Sequence, residues 1–409
     1  MKKINCPICD SQNTVKLITL GSQPPANDLK MDAASALSAK KYDLSLQMCS
    51  DCLYVWLTQL VPPDKLFVDN TYLTGISSET RSDMKHFADS CIDTCHLDEG
   101  STVLDIASND GTLLTFFKNR NMNVLGLDPS RPACDLANTK GIKTVNGFFS
   151  DDSVEIILSS VGHADLITGT NIITHVENPM AFLNNCKKIL KPFGSIVLEF
   201  YYFESIISNN AFDQIYHEHI SYFNFTTFSN MLKRVGLETY KVEIVKSQGG
   251  SLRTFVTFQG VKPIDKSVAD LLKNEGGHSK ILERYRSFPE LVEEKRVKIM
   301  DILTKERTKG TILAGYGASA KATVMANYLG LTPSILSAIA DQSLAKQGKY
   351  IPGVGIPVIS PEALKDLAPG LIIIFAWNIR NEVMSTIKKL LRRDVRTVVF
   401  IPEISFYST

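Results

Sequence analysis

Between Ser101 and Phe200 short apolar runs alternate with helix-like stretches, and this alternation limits the fold more than any other feature of the chain. Thr102-Val103-Leu104-Asp105-Ile106-Ala107 reads as a buried strand, Ser108-Asn109-Asp110-Gly111 as a turn, and Thr112 to Asn119 as a helix. Further strands are expected at Asn123 to Leu127, Ala164 to Gly169 and Ser195 to Phe200, with a helix from Pro179 to Leu190 and a Lys-Pro-Phe-Gly turn between the last two. Strands separated by helices at this spacing pair in parallel, so the middle of the chain should be an open, doubly wound α/β sheet. Leu237 to Val245 and Leu252 to Phe258, joined across Gln248-Gly249-Gly250, should close it as an antiparallel hairpin.

A length of 409 residues exceeds one such domain. Residues from about Asp265 to Lys309 read as a helical connector with Leu271, Leu272, Ile281, Leu282, Leu291, Val292, Ile299 and Leu303 buried. A second α/β unit follows, with strands at Thr311 to Ala314, Ile335 to Ala340, Leu371 to Ala376 and Thr397 to Ile401. Lys+Arg total 44 and Asp+Glu 43, so a net charge of +1 gives no global pull toward nucleic acid or an anionic membrane. The longest apolar run, Leu371 to Trp377, is far shorter than the roughly 20 residues of a membrane-spanning helix, and no signal-peptide core follows the N-terminus. The expected location is the cytoplasm.

Four of the eight cysteines form two Cys-x-x-Cys knuckles, Cys6/Cys9 and Cys49/Cys52, separated by residues 10–48. Two residues between thiolates let a tight turn aim both sulfurs at one ion, and two such turns supply a tetrahedral Cys₄ set for structural zinc. Reduced core cysteines or redox pairs are the alternative. Cys91 and Cys95, one helical turn apart, read as packing residues.

In the run Asp105 to Gly111, an acidic residue near a strand's end precedes a turn of small residues, with Ala107 and Asn109 where glycines often stand. Asp128, ending the next strand, is placed to accept the hydroxyl protons of a ribose. Asp105 and Asp110 would repel a pyrophosphate, whereas S-adenosylmethionine carries a sulfonium, an ammonium and no phosphate. Phe148 and Phe149 are candidates for walling its adenine, or simple core, and Asn171 ends a further strand where ligands collect in such sheets.

Three of the seven histidines, His175, His217 and His219, fall near Tyr216, Glu218 and Tyr222. Forming a carbon–carbon bond needs a base for an acidic C–H and donors for the resulting oxyanion, and histidine and tyrosine suit these tasks. A catalytic metal at His217-Glu218-His219 fits poorly, since zincins place two residues more between their histidines.

The knuckles, Asp105 to Gly111, the block Tyr216-His217-Glu218-His219-Ile220-Ser221-Tyr222-Phe223, Gly249 to Arg253 and Gly315-Tyr316-Gly317-Ala318 together resemble the nucleotide-ketosugar C-methyltransferases. The resemblance spans essentially the whole chain. It implies a class I S-adenosylmethionine-dependent methyltransferase-like doubly wound sheet, preceded by a Cys₄ zinc module and followed by a Rossmann-like α/β domain: residues 1–75, 76–262, and 263–409 with the connector. It also implies methylation of a nucleotide-linked 4-keto-6-deoxy sugar, at carbon 3, by enolate formation and in-line methyl transfer. His219 would be the general base, Tyr216 and His175 would hold or polarise the ketone and enolate, Glu218 would orient a histidine, and Tyr72 would act as a lid or substrate contact. Tyr222 would line the sugar site. Gln248 stands where the family often has histidine, which leaves the sugar's fine identity open.

Gly315-x-Gly317-x-x-Ala320 also fits a dinucleotide fingerprint, with Asp341 ending the next strand. We expect Gly317, Lys321 and Arg253 to meet the substrate's phosphates instead, unless the domain serves packing alone. Rival readings are an O- or N-methyltransferase on another small metabolite, a nicotinamide-dependent sugar-nucleotide dehydrogenase, and a non-enzymatic zinc module.

Overall fold

The computed structural model describes residues 5–68, 73–76 and 78–409, built on three sheets. The central sheet has seven strands in the order Leu237–Val245, Ser251–Phe258, Leu190–Tyr201, Ala164–Thr170, Thr102–Ile106, Asn123–Asp128, Thr144–Asn146. All are parallel except Ser251–Phe258, which runs antiparallel to both neighbours. Every residue of Thr102–Ile106 is buried, because helices cover both faces of a parallel sheet. The chain runs outward from this strand to Asn123–Asp128 and Thr144–Asn146, then returns to its other side at Ala164–Thr170. That reversal opens a crevice at the strands' carboxyl ends, where Ala107 to Gly111 and Asn171 lie. The expected Lys-Pro-Phe-Gly turn is instead the irregular start of Leu190–Tyr201, beside a register shift between Ala164 and Leu166, with Phe193 exposed.

Thr14–Gln23, Tyr42–Cys49 and Val55–Leu57 form an antiparallel sheet whose fourth strand, Ser221–Tyr222, comes from the middle of the chain. Two residues carry no periodicity, so this strand was invisible in the sequence. The Tyr54 and Ser221 hydroxyls bond at 2.5 Å across the junction. The third sheet is ordered Val358–Ile359, Ala338–Ala340, Leu313–Tyr316, Leu371–Ile374, Arg396–Val399, Ser405–Ser408, with only the last strand antiparallel. Its two edge strands also escaped the sequence reading.

Helices Lys266–Glu275 and His278–Thr308 make the connector. In the longer one Ile281, Tyr285, Phe288, Val292, Ile299 and Leu303 form one buried stripe at helical spacing. Leu291, expected inside, is 40% exposed, since it stands one residue and about 100° off that stripe. One hydrophobic core fuses this helix, the N-terminal sheet, the third sheet and Phe203 to Tyr222. No helix among the described residues is long and apolar enough to cross a membrane.

The Sγ atoms of Cys6, Cys9, Cys49 and Cys52 lie within 4.8 Å of one another, with Cys6–Cys52 at 3.5 Å and Cys9–Cys49 at 3.6 Å. A tetrahedron with Zn–S near 2.3 Å has edges of about 3.8 Å, so the four thiols fit zinc. The knuckle is tied to the body of the protein through Thr227 Oγ1 to the Cys52 carbonyl and His278 Nε2 to the Ser50 carbonyl. Cys49→Ala should therefore abolish stoichiometric zinc and lower the first melting transition. Metal analysis and calorimetry check this, and unchanged zinc with unchanged melting would contradict it.

Candidate active site

Ala107, Asn109 and Gly111 all adopt positive φ, at 61°, 50° and 72°. Two non-glycine residues in this conformation within one turn mark a backbone held against its preference. What holds it is visible. The Ala107 and Ser108 amides donate to the Leu127 carbonyl, and the Asn109 amide donates to Asp128 Oδ2 at 2.9 Å. Asp128 Oδ1 accepts from the Ser130 amide at 2.8 Å, so each carboxylate oxygen takes one backbone N–H and has a lone pair remaining. Asp105 is fully inside the sheet, bonded to Thr168 Oγ1 at 2.8 Å, and burial pushes its carboxyl up to about 7, with Asp128 adding to the effect. A cation bound beside it would pull it down again, which is the chemistry S-adenosylmethionine offers. Asp110 is already neutralised by Lys140 at 3.0 Å.

Thr74 and Gly75 dock on this turn, their amides donating to Asn109 Oδ1 and Asp110 Oδ2. A Cβ on Gly75 would meet Asp110 Oδ2 at 2.7 Å, so glycine permits the approach. Sequence reasoning missed this strap; Tyr72, expected as a lid, lies outside the described residues. Phe149 packs edge-on against Phe182 at 5.3 Å, while Phe148 is 40% exposed.

Asn171 leads in four residues to His175, so the crevice at the strands' carboxyl ends and the imidazole cluster are no more than about 14 Å of chain apart. The intervening Thr174 carbonyl accepts the Ile220 and Ser221 amides, which sews the Tyr-His-Glu-His block to the end of Ala164–Thr170. His175 stacks between Phe67 and His219, with centroids 5.5 and 5.2 Å apart. His219 in turn contacts Tyr216 at 3.9 Å, Tyr201 at 4.5 Å and, edge-on, Tyr222 at 6.4 Å. Tyr201 and Phe67 were not foreseen, although Tyr201 directly continues a foreseen strand. His217 points elsewhere, onto Tyr42 of the N-terminal sheet. No metal-capable group other than the four cysteines occurs among the described residues.

Burial holds His219 well below the ordinary histidine value, reinforced by His175, and burial brings His175 down to about 4. Both rings are neutral at physiological pH. His219 Nδ1 lies 2.8 Å from the Gln214 carbonyl; a carbonyl only accepts, so Nδ1 carries the proton and Nε2 the lone pair. Burial raises the Tyr216 and Tyr222 phenols, keeping them protonated. Asn171 Oδ1, His175 Nε2, Glu218 Oε2 and Tyr222 Oη are buried with no hydrogen-bond partner among the described residues, as expected of groups that face a polar ligand.

Three expectations need correction. Glu218 does not orient a histidine: its Oε1 accepts from Asn27 Nδ2 at 2.9 Å, and the Gln214 main chain does the orienting. Arg253 is no phosphate ligand, because it pairs with Glu199 through two bonds of 2.9 and 2.8 Å and lies over Phe87, buried in the central domain. In the Gly315–Ala320 turn the Gly317 amide donates to the Ala340 carbonyl and the Ala318 amide to Asp341 Oδ2, so these two donors are committed within the domain. Lys321 is buried, bonded to Asn378 Oδ1 at 2.9 Å, and close enough to His219 and Asp213 to influence both.

Asp128→Asn sets an NH₂ group against one of two backbone N–H donors and should weaken S-adenosylmethionine binding about tenfold or more. Protonation of Asp105 at lower pH removes the charge a cation seeks, so affinity should fall as pH drops through about 7. Calorimetric titration of the donor against pH checks both; flat affinity would contradict the assignment.

Residues 6–67 match the family model of a zinc binding domain, residues 80–242 that of a methyltransferase domain, and residues 246–402 that of a C-methyltransferase C-terminal domain. C-methyltransferase NovU of Streptomyces niveus is 29% identical over 400 residues, covering 97% of this chain and 95% of that protein. The ubiquinone biosynthesis O-methyltransferase of Coxiella burnetii is 27% identical over 99 residues, covering 24% of this chain and 42% of that protein. Among solved structures, the magnesium protoporphyrin IX methyltransferase of Synechocystis with bound S-adenosylmethionine covers 46% of this chain and 86% of its own, at 12% identity and a TM-score of 0.34. Likeness to the O-methyltransferase stops within a quarter of the chain, while likeness to the C-methyltransferase NovU runs through all three parts, each of which matches its own family model.

Proposed function

We propose that this C-methyltransferase acts on a nucleotide-linked 4-keto-6-deoxy sugar and methylates carbon 3, beside the ketone. A saturated carbon cannot accept a methyl group until it has lost a proton, and an adjoining carbonyl makes that loss feasible by taking the charge onto oxygen. Bound S-adenosylmethionine supplies an electrophilic methyl group on a sulfonium that leaves readily. His219 takes the α proton on Nε2, the nitrogen left basic by the Gln214 bond. Tyr216, its phenol kept protonated by burial, donates to the ketone oxygen as negative charge grows there. His175 and Tyr222 supply further polar atoms to the ring substituents. Tight packing of these aromatic groups excludes water, which strengthens each hydrogen bond to the enolate.

The observation that carries this reading is a neutral imidazole with one nitrogen engaged by a carbonyl, seated among protonated phenols within a few residues of the donor crevice. An oxygen or nitrogen acceptor would not require such a base beside a carbonyl pocket. Incubation with S-adenosylmethionine and a panel of sugar nucleotides tests it: only 4-keto sugars should gain the mass of one methyl group. Equal methylation of their 4-hydroxy counterparts would overturn it. On the active sugar, His219→Ala should lower kcat by about 10²–10⁴-fold and leave donor binding unchanged. Because burial lowers the His219 pKa, its basic form persists as pH falls, so the acid limb of kcat/KM should lie below about 6.5. Full activity of the variant, or a limb at higher pH, would remove His219 from this role.

A further inference from the structure

The C-terminal domain reaches the imidazole through Phe212–Gln214, a single 3₁₀ turn. Asp213 in this turn is 0% exposed, and its Oδ2 accepts the Trp377 indole N–H at 2.9 Å. Its Oδ1 is buried with no partner among the described residues. One residue later, the Gln214 carbonyl receives the His219 Nδ1 proton, and the Gln214 side-chain amide donates to the Gln248 carbonyl at 2.8 Å. Trp377 sits in a fixed place. A Cβ on Gly249, at φ +90°, would come within 2.2 Å of the indole Cη2, so the ring lies directly against that backbone. The Lys321 ammonium stands 4.6 Å from the ring centroid on Trp377.

A buried carboxylate is costly unless it is compensated. Here the charged groups facing Asp213 are Lys321 and Lys295, and burial still brings its carboxyl up to about 6. Neither Asp213 nor Trp377 belongs to the ring stack around His219. Their bond spans 164 residues of sequence and joins the third sheet to the turn that fixes the tautomer of His219.

We propose that Trp377 and Asp213 are positioning residues: the indole N–H holds the Asp213 carboxylate, the carboxylate holds the turn, and the Gln214 carbonyl then keeps His219 protonated on Nδ1 with Nε2 as its basic nitrogen. The proposal rests on His219 being the base. A carbonyl displaced by about an ångström no longer makes a 2.8 Å bond, and the imidazole is then free to place its proton on Nε2, the tautomer in which Nε2 cannot accept the substrate's proton.

The test needs no sugar. Two-bond ¹H–¹⁵N spectra of the ¹⁵N-labelled full-length protein at neutral pH report each histidine tautomer, and the His219 pattern is assigned by its loss in His219→Ala. The parent should show His219 in the Nδ1–H form. Trp377→Phe, which keeps the ring and removes the donor, and Asp213→Ala should each lose that pattern in favour of Nε2–H. Asp213→Asn retains an acceptor for the indole and should restore it. Persistence of the Nδ1–H form in both Trp377→Phe and Asp213→Ala, or its loss in Asp213→Asn, would overturn the proposal. Methyl transfer surviving in His219→Ala would instead sink the base assignment, whatever the spectra show.

Discussion

Desolvation of one imidazole organises this molecule. His219 is buried, stacked among His175, Tyr201 and Tyr216 with no carboxylate in that ring cluster, so it cannot carry a charge without a counter-ion. The same burial keeps the surrounding phenols protonated. A neutral imidazole and protonated phenols are thus prepared by one cause, and the single carbonyl of Gln214 leaves the lone pair on Nε2.

Burying a polar cluster of this kind needs walls on every side, and each part of the chain supplies one. The central sheet brings His175 from the end of Ala164–Thr170. The zinc module contributes Phe67 and, through Val55–Leu57, an edge on which Ser221–Tyr222 pairs. The C-terminal α/β unit contributes Lys321, close enough to His219 to influence it, and Trp377, which bonds Asp213 next to Gln214. An ion held by the four cysteines would therefore take no part in the chemistry, yet it would steady the sheet that anchors the block next to His219.

Much of this was legible in the sequence where physical periodicity carried it. The strand, turn and helix from Thr102 onward, the closing hairpin and the paired knuckles were all read from apolar runs and spacing, and Asp105 and Asp128 at strand ends pointed to the crevice. What escaped is long-range or main-chain. Ser221–Tyr222 is too short to show a period, the Thr74–Gly75 strap joins residues 35 apart by backbone amides, and Gln214 acts through a carbonyl that any residue possesses. Arg253 and Glu218 misled for the opposite reason: their side chains suit ligands, but each has a protein partner that only the fold brings near.

Proton removal from carbon must be separable from methyl transfer if an enolate forms, and exchange of the substrate hydrogen in deuterated water, with S-adenosylhomocysteine replacing the donor, measures that step alone. Wild-type protein should wash deuterium into the position next to the ketone while the His219→Ala protein does not. Methylation by the wild type of a sugar that never exchanges that hydrogen, with or without the donor product bound, would contradict the enolate at the centre of this account.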